Sequence, residues 1–217
     1  IALAIIGAVF KEGYVKNKVM EFIGPGLAHL SADYRNGIDV MTTETTCLSS
    51  IWATDERVRE WYEIHGRPED YKKLEPAEGA YYDSYIEVDL SAVEPMIALP
   101  FHPSNVYSLR EFIQNPEDIL REAQDRGMAQ YGEKVKEYRL TDKIKNGRVL
   151  VDQGVIAGCS GGTFENTYIA AQMLKGGSIG TGAFSLSVYP ASQPVFMELV
   201  RDGAIAELMK VGATVRS

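Results

Sequence analysis

The sequence has few of the residues from which disulfide frameworks and compact metal centres are built. Its 217 residues include two cysteines and three histidines. Cys47 and Cys159 lie far apart and in different local contexts, whereas small secreted domains carry closely spaced cysteines in even numbers. We therefore expect free thiols, a reducing environment and a cytoplasmic location. A metal site would need ligands beyond either cysteine and its sequence neighbours.

Positive charge and long apolar runs are also scarce. The chain has 22 Lys and Arg against 30 Asp and Glu, a formal net charge of −8, and such a surface on average repels nucleic acid and anionic lipid. The apolar run at residues 1–10 is about half a membrane span and lacks signal-peptide features. We expect a buried helix or strand there, and neither a nucleic-acid nor a membrane partner. Because the sequence opens inside this run without a Met, we also expect it to be cut from a longer protein.

Strand, turn and helix signals predict a first α/β domain over residues 1–112. Residues 18–23 have the composition of a strand and are closed by a Gly-Pro-Gly turn. Asp55 and Ser108 stand where N-caps precede helical patterns. Residues 85–89 alternate polar and apolar side chains, which predicts a further strand.

A charge-dense stretch separates this domain from the remainder. Within residues 113–147, Asn-Pro-Glu-Asp at residues 115–118 predicts a helix start, and Gly127 is expected to end that helix. The density of charge is typical of a solvated helical surface, so we expect a charged connector or insertion. Beyond it, over residues 148–217, strand and helix signals alternate, with the last helix interrupted at Gly203. This alternation is typical of a parallel α/β layer.

The segment with the most chemical information surrounds Cys159. It reads Gly-Cys-Ser-Gly-Gly-Thr where a predicted strand turns into a helix, so free N–H groups and the positive helix end would favour thiolate over thiol. Thiolate is the form that binds metal or attacks electrophiles. The simpler alternative is a small buried thiol beside glycines that only permit a tight turn. On local sequence both alternatives stay open.

Other motif interpretations of the Cys159 segment are weaker. A serine-protease Gly-Asp-Ser-Gly-Gly would need Asp where Cys159 stands, and the three histidines lie in an α/β pattern, which excludes that class. Dinucleotide and phosphate loops need G-x-G-x-x-G or a Gly-Lys-Ser/Thr ending, and neither is present here. An unspecific phosphate-binding turn stays open.

A second candidate is Glu44, a carboxylate inside the run Met-Thr-Thr-Glu-Thr-Thr-Cys-Leu-Ser-Ser. No Lys or Arg lies between Ile38 and Trp52 to neutralise it. A carboxylate held among hydroxyl groups can accept hydrogen bonds or act as a general acid or base. An exposed Glu in a Ser/Thr-rich loop is the alternative.

Taken in order along the chain, five segments resemble the aconitase family of iron–sulfur hydro-lyases, which also contains the isopropylmalate and homoaconitate dehydratases. Residues 19–26 are similar to the family's V-E-Y/F-x-G-P-G, and residues 41–52 to G-A-E-x-G-A-T-T-S-x-F. Residues 79–100 are similar to the segment with I-E-I-N-L-S-x-L-x-P, and residues 156–166 to I-G-S-C-T-N-S-x-x-E-D. Residues 189–193 and 201–203 resemble T-P-G-S-x-x and E-R-D-G. Counted without a gap from the Gly-Pro-Gly turn, Glu44 falls on the family's active-site glutamate. Residues from about 112 to 147 have no counterpart.

The resemblance implies three-layer α/β/α domains with mostly parallel sheets, residues 1–112 being the second domain and 148–217 the first part of the third. It implies that Cys159 is one of three thiolates holding a 4Fe–4S cluster, with Ser160 and Gly161 also at the cofactor. The open iron of such a cluster acts as a Lewis acid. Glu44 would be catalytic, hydrogen-bonding the substrate hydroxyl or the iron-bound water.

Departures from the family pattern limit what is implied. Val40 replaces an asparagine, and Ser160-Gly161 replace Thr-Asn, so we expect a substrate other than citrate. The family's other two cluster cysteines form a C-G-P-C pair that would follow residue 217. We therefore expect an internal fragment of a hydro-lyase acting on a small hydroxy-carboxylic acid, inactive by itself and without an intact cluster. The alternative is a cluster-free relative that binds a carboxylate or a partner protein without catalysis.

Overall fold

The computed structural model describes residues 1–216, which form two compact units. Each unit is assembled from three separate stretches of chain. The first unit comprises residues 1–22, 42–51 and 76–150, and the second comprises residues 23–41, 52–75 and those from 151 on. The domain boundaries expected at residues 112 and 147 divide the chain along its sequence, and they stay a prediction.

Helices and short strands alternate along the chain. The helices are α1 (Ala2–Val9), α2 (Ala32–Met41), α3 (Glu56–Ile64), α4 (Leu109–Gln114), α5 (Pro116–Tyr131), α6 (Gly158–Gly161), α7 (Phe164–Leu174), α8 (Gln193–Arg201) and α9 (Ala204–Lys210). The strands are β1 (Val19–Phe22), β2 (Ser49–Trp52), β3 (Met96–Ala98), β4 (Val106–Ser108), β5 (Ile144–Lys145), β6 (Arg148–Val149), β7 (Gln153–Ala157), β8 (Ser185–Tyr189) and β9 (Thr214–Val215). Turns of 3-10 helix include Pro25–His29 and Thr42–Thr45.

The apolar run at the start of the sequence forms α1, as expected of a buried element. Ile5, Ile6 and Val9 on this helix are buried. The helix has eight residues, well short of a bilayer span. Among the described residues, no helix combines the length and the apolar character needed to cross a membrane.

The first unit contains three two-stranded pairs, β1 with β2, β3 with β4, and β5 with β6. The last two pairs are antiparallel, and Met96 lies opposite Ser108. Packed against β3 to β6 is a buried cluster that consists of Leu99, Phe112, Ile119, Leu120 and Ala123. The charge-dense segment therefore supplies apolar side chains to a core on one face and carries its ion pairs, such as Glu117–Arg121, on the other.

Two local predictions in this unit are wrong. Residues 85–89 form no strand and have no regular secondary structure, and Tyr85 is 81% exposed. The period-2 pattern therefore belongs to a surface segment without a strand partner. Gly127 lies inside α5 and does not end it. The glycine leaves room for Phe101, whose ring would lie 2.3 Å from a Cβ at that position. The helix ends instead at Gly132, which has φ +57°.

The second unit contains the parallel layer that the sequence predicts. Strands β7, β8 and β9 form one sheet in that order, with Ile156 beside Val188 and Val188 beside Val215. Helices α7, α8 and α9 pack against it, and the break between α8 and α9 falls at Gly203, in the left-handed region at φ +75°. The buried cluster consists of Ala171, Leu186, Val188, Leu199, Ala204, Ile205, Leu208, Val211 and Ala213. The α/β fold class with parallel strands is confirmed.

Candidate functional site

Glu44 lies in the first unit, on the 3-10 turn Thr42–Thr45 that follows α2 in the chain. The turn is fixed by Thr45, which is fully buried and donates its hydroxyl to the carbonyl of Thr42 at 2.6 Å. The thiol of Cys47 donates to the same carbonyl at 3.4 Å. Two bonds therefore converge on one carbonyl and hold the backbone on both sides of Glu44.

The residue that ends this turn, Thr46, has a backbone conformation that its side chain disfavours. Its φ is +63°, in the left-handed region where a β-branched residue is an outlier. The conformation is retained because the Thr46 carbonyl accepts from the Asn17 N–H at 3.1 Å, and the next pairing joins Leu48 to Lys18. Counted along the family motif quoted above, position 46 is the glycine two residues after the glutamate. The observed φ explains why a glycine suits that position.

The Glu44 carboxylate itself is half-buried. It makes no hydrogen bond or ion pair with any of residues 1–216, while Thr42 and Thr45 beside it are buried. A half-buried carboxylate on a fixed turn, without a cation to neutralise it, can accept a hydrogen bond from a ligand or exchange a proton with it.

Cys159 lies in the second unit, where β7 gives way to the single turn α6. The thiol is free and exposed, which excludes the alternative of a small buried thiol. Gly158 starts the turn at φ +80°. Gly162 closes it so tightly that a Cβ there would lie 2.5 Å from the carbonyl oxygen of Tyr189. The glycines on either side of Cys159 are thus required by the backbone, one for its φ and one for close packing.

Hydrogen bonds hold the residue that follows Cys159 from two sides. The carbonyl oxygen of Ser160 accepts from Asn166 Nδ2 on α7 at 2.8 Å. The hydroxyl of Ser160 donates to the carbonyl oxygen of Gly37 on α2 at 3.2 Å. Gly37 packs closely against the turn, since a Cβ there would be in van der Waals contact with the Ser160 carbonyl oxygen at 3.4 Å.

Helices α2 and α7 begin side by side, and an acidic residue of α2 caps α7. Ser31 accepts from the backbone N–H of Tyr34 at 3.2 Å and donates to the carboxylate of Glu165. Asp33, in the first turn of α2, accepts from the backbone N–H of Glu165 at 3.1 Å. Burial, and secondarily the nearby Glu165 carboxylate, raises the pKa of Tyr34. The carboxylates thus lie at positive helix ends, where they are stabilised.

A buried arginine ties the Gly-Pro-Gly turn to the start of α3. Arg35, 3% exposed, donates to the carbonyls of Leu27, Leu30 and Ala53. It also forms an ion pair with Asp55, which accepts from the N–H groups of Arg57 and Val58 as the N-cap of α3. The capping role of Asp55 is confirmed.

Sequence reasoning missed four residues of this region: Ser31, Asn166, Gly37 and Arg35. Ser31 could have been found, because Ser before Ala-Asp is a recognisable N-cap signal. Asn166, Gly37 and Arg35 act through contacts distant in sequence, so no local pattern indicates them.

The described residues do not by themselves fit a 4Fe–4S cluster. Residues 1–216 contain no group of three or more His, Cys, Asp and Glu side chains able to hold a metal ion. The two cysteines belong to different compact units. Cys159 fits the role of a single ligand, because its thiol is free, exposed and fixed on a hydrogen-bonded turn.

Comparison with known proteins finds one family model and several curated relatives. The model of the aconitase family (aconitate hydratase) matches residues 1–217. The 3-isopropylmalate dehydratase large subunits of Clostridium kluyveri and Clostridium botulinum are 28% and 30% identical to it over 215 residues, which is 99% of this chain and 42% of each relative. The 2,3-dimethylmalate dehydratase large subunit of Eubacterium barkeri is 29% identical over 213 residues, 98% of this chain and 42% of that protein.

The chain therefore spans about 42% of the length of the curated relatives that it matches. The match to the family model extends over every segment on which the motif resemblance rests, from the Gly-Pro-Gly turn to the last helices. The chain belongs to the aconitase family.

Proposed function

We propose that this chain is part of a hydro-lyase that reversibly removes water from a small hydroxy-carboxylic acid, and that Cys159 supplies one thiolate to its 4Fe–4S cluster. The observation that carries the proposal is the free, exposed thiol on the glycine-bounded turn after β7. The dehydratase names of the relatives agree with it.

The remaining cluster ligands have to come from outside these 217 residues, because the described residues offer one suitable thiol beside α6. When bound, the cluster supplies a Lewis-acid iron that makes hydroxide a tolerable leaving group. Ser160 and Gly161 are the neighbours of Cys159 at the cofactor. The 217 residues alone are then inactive and hold no intact cluster.

Glu44 is the proton-handling group of the proposal. Dehydration breaks a C–H bond and a C–O bond and forms a C=C bond, so that one proton and one hydroxide leave together as water. A carboxylic acid hydrogen-bonded to the substrate hydroxyl donates a proton to the departing oxygen, while a base outside these 217 residues takes the proton of the C–H bond. Hydration reverses both proton transfers. The fixed turn under Glu44 and its unneutralised, half-buried carboxylate support this role.

The names of the relatives support a proposal for the substrate class and the partner. Isopropylmalate and dimethylmalate are hydroxy-dicarboxylic acids that differ from one another in their alkyl groups, so we place the substrate of this protein in that class. Both relatives are named large subunits, and the partner is accordingly a second, smaller subunit or the domains that replace it. The free thiols agree with a cytoplasmic location.

A second candidate is a cluster-free family member that binds a carboxylate or a partner protein without catalysis. It is favoured by Val40 and Gly161, which stand where the family pattern has asparagines. A missing carboxamide removes a hydrogen-bond donor that a cluster sulfide or a substrate oxygen would use.

The test is an anaerobic assay of the full-length protein for dehydration of 3-isopropylmalate and 2,3-dimethylmalate, followed by absorption of the unsaturated product. Glu44→Gln is expected to slow turnover by about 100-fold or more, the scale of a positioned acid–base group. Glu63→Gln, an exposed glutamate on α3, is the matched control and keeps full turnover. If the wild-type protein holds an intact cluster but dehydrates neither compound, its substrate is a different hydroxy acid. An active Glu44→Gln variant would remove Glu44 from the mechanism.

A further inference from the structure

The turn that carries Cys159 is closed by one backbone hydrogen bond of its own, from the Gly162 N–H to the Gly158 carbonyl oxygen at 2.9 Å. Three of the residues 158–162 are glycines, and glycine loses more conformational freedom on folding than any other residue. A Cβ at Gly161 would meet nothing within 4 Å, so packing does not restrain the middle of the turn. Hydrogen bonds to neighbouring elements supply a further restraint on the direction of the thiol.

The structure shows these bonds at one residue, Ser160. Asn166 reaches it from the first turn of α7, with its Nδ2 2.8 Å from the Ser160 carbonyl oxygen. The hydroxyl of Ser160 in turn reaches the Gly37 carbonyl oxygen on α2 at 3.2 Å. Both bonds are partly buried, so water competes with them less than at the surface. The residue adjoining the thiol is therefore held between two helices.

The chemistry of the Asn166 side chain is specific to this arrangement. An ionised Asp has the same shape as Asn but only accepts hydrogen bonds, so it cannot replace this N–H donor. The family pattern quoted above has Asp at this position and Asn where Gly161 stands. In this chain the amide therefore donates to the Cys159 turn from α7, outside the turn itself.

We infer that Asn166 and Ser160 are positioning residues that fix the Cys159 thiol for cluster binding. The inference rests on the proposed function, because it takes Cys159 to be a ligand. Replacing a residue that hydrogen-bonds to a metal-binding segment and orients the ligand typically lowers metal affinity by about 10-fold to 100-fold. Loss of the Asn166 donor is expected to have an effect of this size on cluster retention, without unfolding the protein.

The test uses the full-length protein, reconstituted anaerobically with Fe²⁺ and sulfide. Asn166→Asp removes the donor but keeps the shape, and Asn166→Leu removes it without adding charge. The matched controls, Gln172→Glu and Gln172→Leu, make the same changes on an exposed position of α7. We measure iron per chain and the lifetime of the visible cluster absorption under a chelator. Hydrogen–deuterium exchange of residues 158–163 in the cluster-free protein reports on the turn itself.

Both Asn166 variants are expected to shorten the cluster lifetime by about 10-fold or more and to speed exchange in residues 158–163, whereas the Gln172 variants behave as wild type. Ser160→Ala is expected to act in the same direction, and Ser160→Thr, which keeps the hydroxyl, to restore the lifetime. Alkylation of Cys47 serves as an internal control for folding and stays at the wild-type rate.

The inference is overturned if the Asn166 variants keep wild-type cluster lifetime and exchange while Cys159→Ser loses iron. If Cys159→Ser keeps its iron, the proposed function fails instead. A faster exchange with an unchanged cluster lifetime would make the contact structural only, and would also overturn the inference.

Discussion

The carboxylate of Asp33 accepts a hydrogen bond from the backbone N–H of Glu165 at 3.1 Å, so that a residue of α2 caps the start of α7. Replacing Asp33 with Ala leaves this N–H unpaired and removes a negative charge from a positive helix end. We expect the opening free energy of the first turn of α7 to fall by about 1 kcal/mol. Hydrogen–deuterium exchange of residues 164–168 measures it.

The matched control for this change is Asp83→Ala, an exposed aspartate in the first unit. It is expected to leave exchange in α7 unchanged. Equal protection of α7 in the Asp33 variant and the wild type would show that the cap contributes nothing.

Thr46 gives the second prediction, because its φ of +63° is unfavourable for a β-branched residue. Thr46→Asn suits the left-handed region better and should raise the thermal midpoint, by the equivalent of about 1 kcal/mol. Thr46→Gly relieves the same strain but loses part of the gain to the greater freedom of the unfolded chain. Thr181→Gly, at an exposed position without a positive φ, should only destabilise. A lower midpoint for both Thr46 variants would contradict the strain.

Two fully buried threonines allow a paired test of what a hydroxyl contributes. The Thr45 hydroxyl donates to the Thr42 carbonyl, whereas the Thr167 hydroxyl has no partner within residues 1–216. Thr45→Val should cost about 1–2 kcal/mol, and Thr167→Val should be neutral or stabilising. Thermal unfolding of the two variants checks the difference. If the two variants destabilise equally, the Thr167 hydroxyl has a partner after all.

Glu122 gives a pH-dependent prediction. Two hydrogen bonds lower the pKa of this carboxyl group: one from the Tyr107 hydroxyl, which has the larger effect, and one from Arg126. A pKa that is lower in the folded than in the unfolded protein contributes stability above the unfolded value of about 4.3, and this contribution is lost as the pH falls through the folded pKa. Tyr107→Phe should raise the pKa of Glu122, as followed by NMR.

The control for this titration is Tyr138→Phe, which deletes the hydroxyl of an exposed tyrosine. Its Glu122 should titrate as in the wild type. An unchanged pKa in Tyr107→Phe would show that the hydroxyl does not stabilise the carboxylate.

The sequence predicts those elements whose signals are local. Asp55 and Ser108 cap their helices as expected, and Gly203 separates α8 from α9. The elements that it mispredicts depend on distant partners. Gly127 looks like a helix end but is a contact site for Phe101, and residues 85–89 have a strand pattern but no neighbouring strand.

The candidate site shows the same limit. Cys159 and Glu44 can be found from their local chemistry and the family motifs. Asn166 and Gly37 cannot, because what they contribute is a contact with Ser160, which lies on another helix. Hydrogen bonds between distant segments leave no period or spacing in the sequence.

The most direct test of the account is the iron content of the full-length protein, prepared without oxygen, for the wild type, Cys159→Ser and Cys47→Ser. Cys47 provides the matched control because it is the other free cysteine. The account predicts about four irons per chain in the wild type and in Cys47→Ser, as in a 4Fe–4S cluster, and loss of the cluster in Cys159→Ser. An unchanged iron content in Cys159→Ser would contradict it.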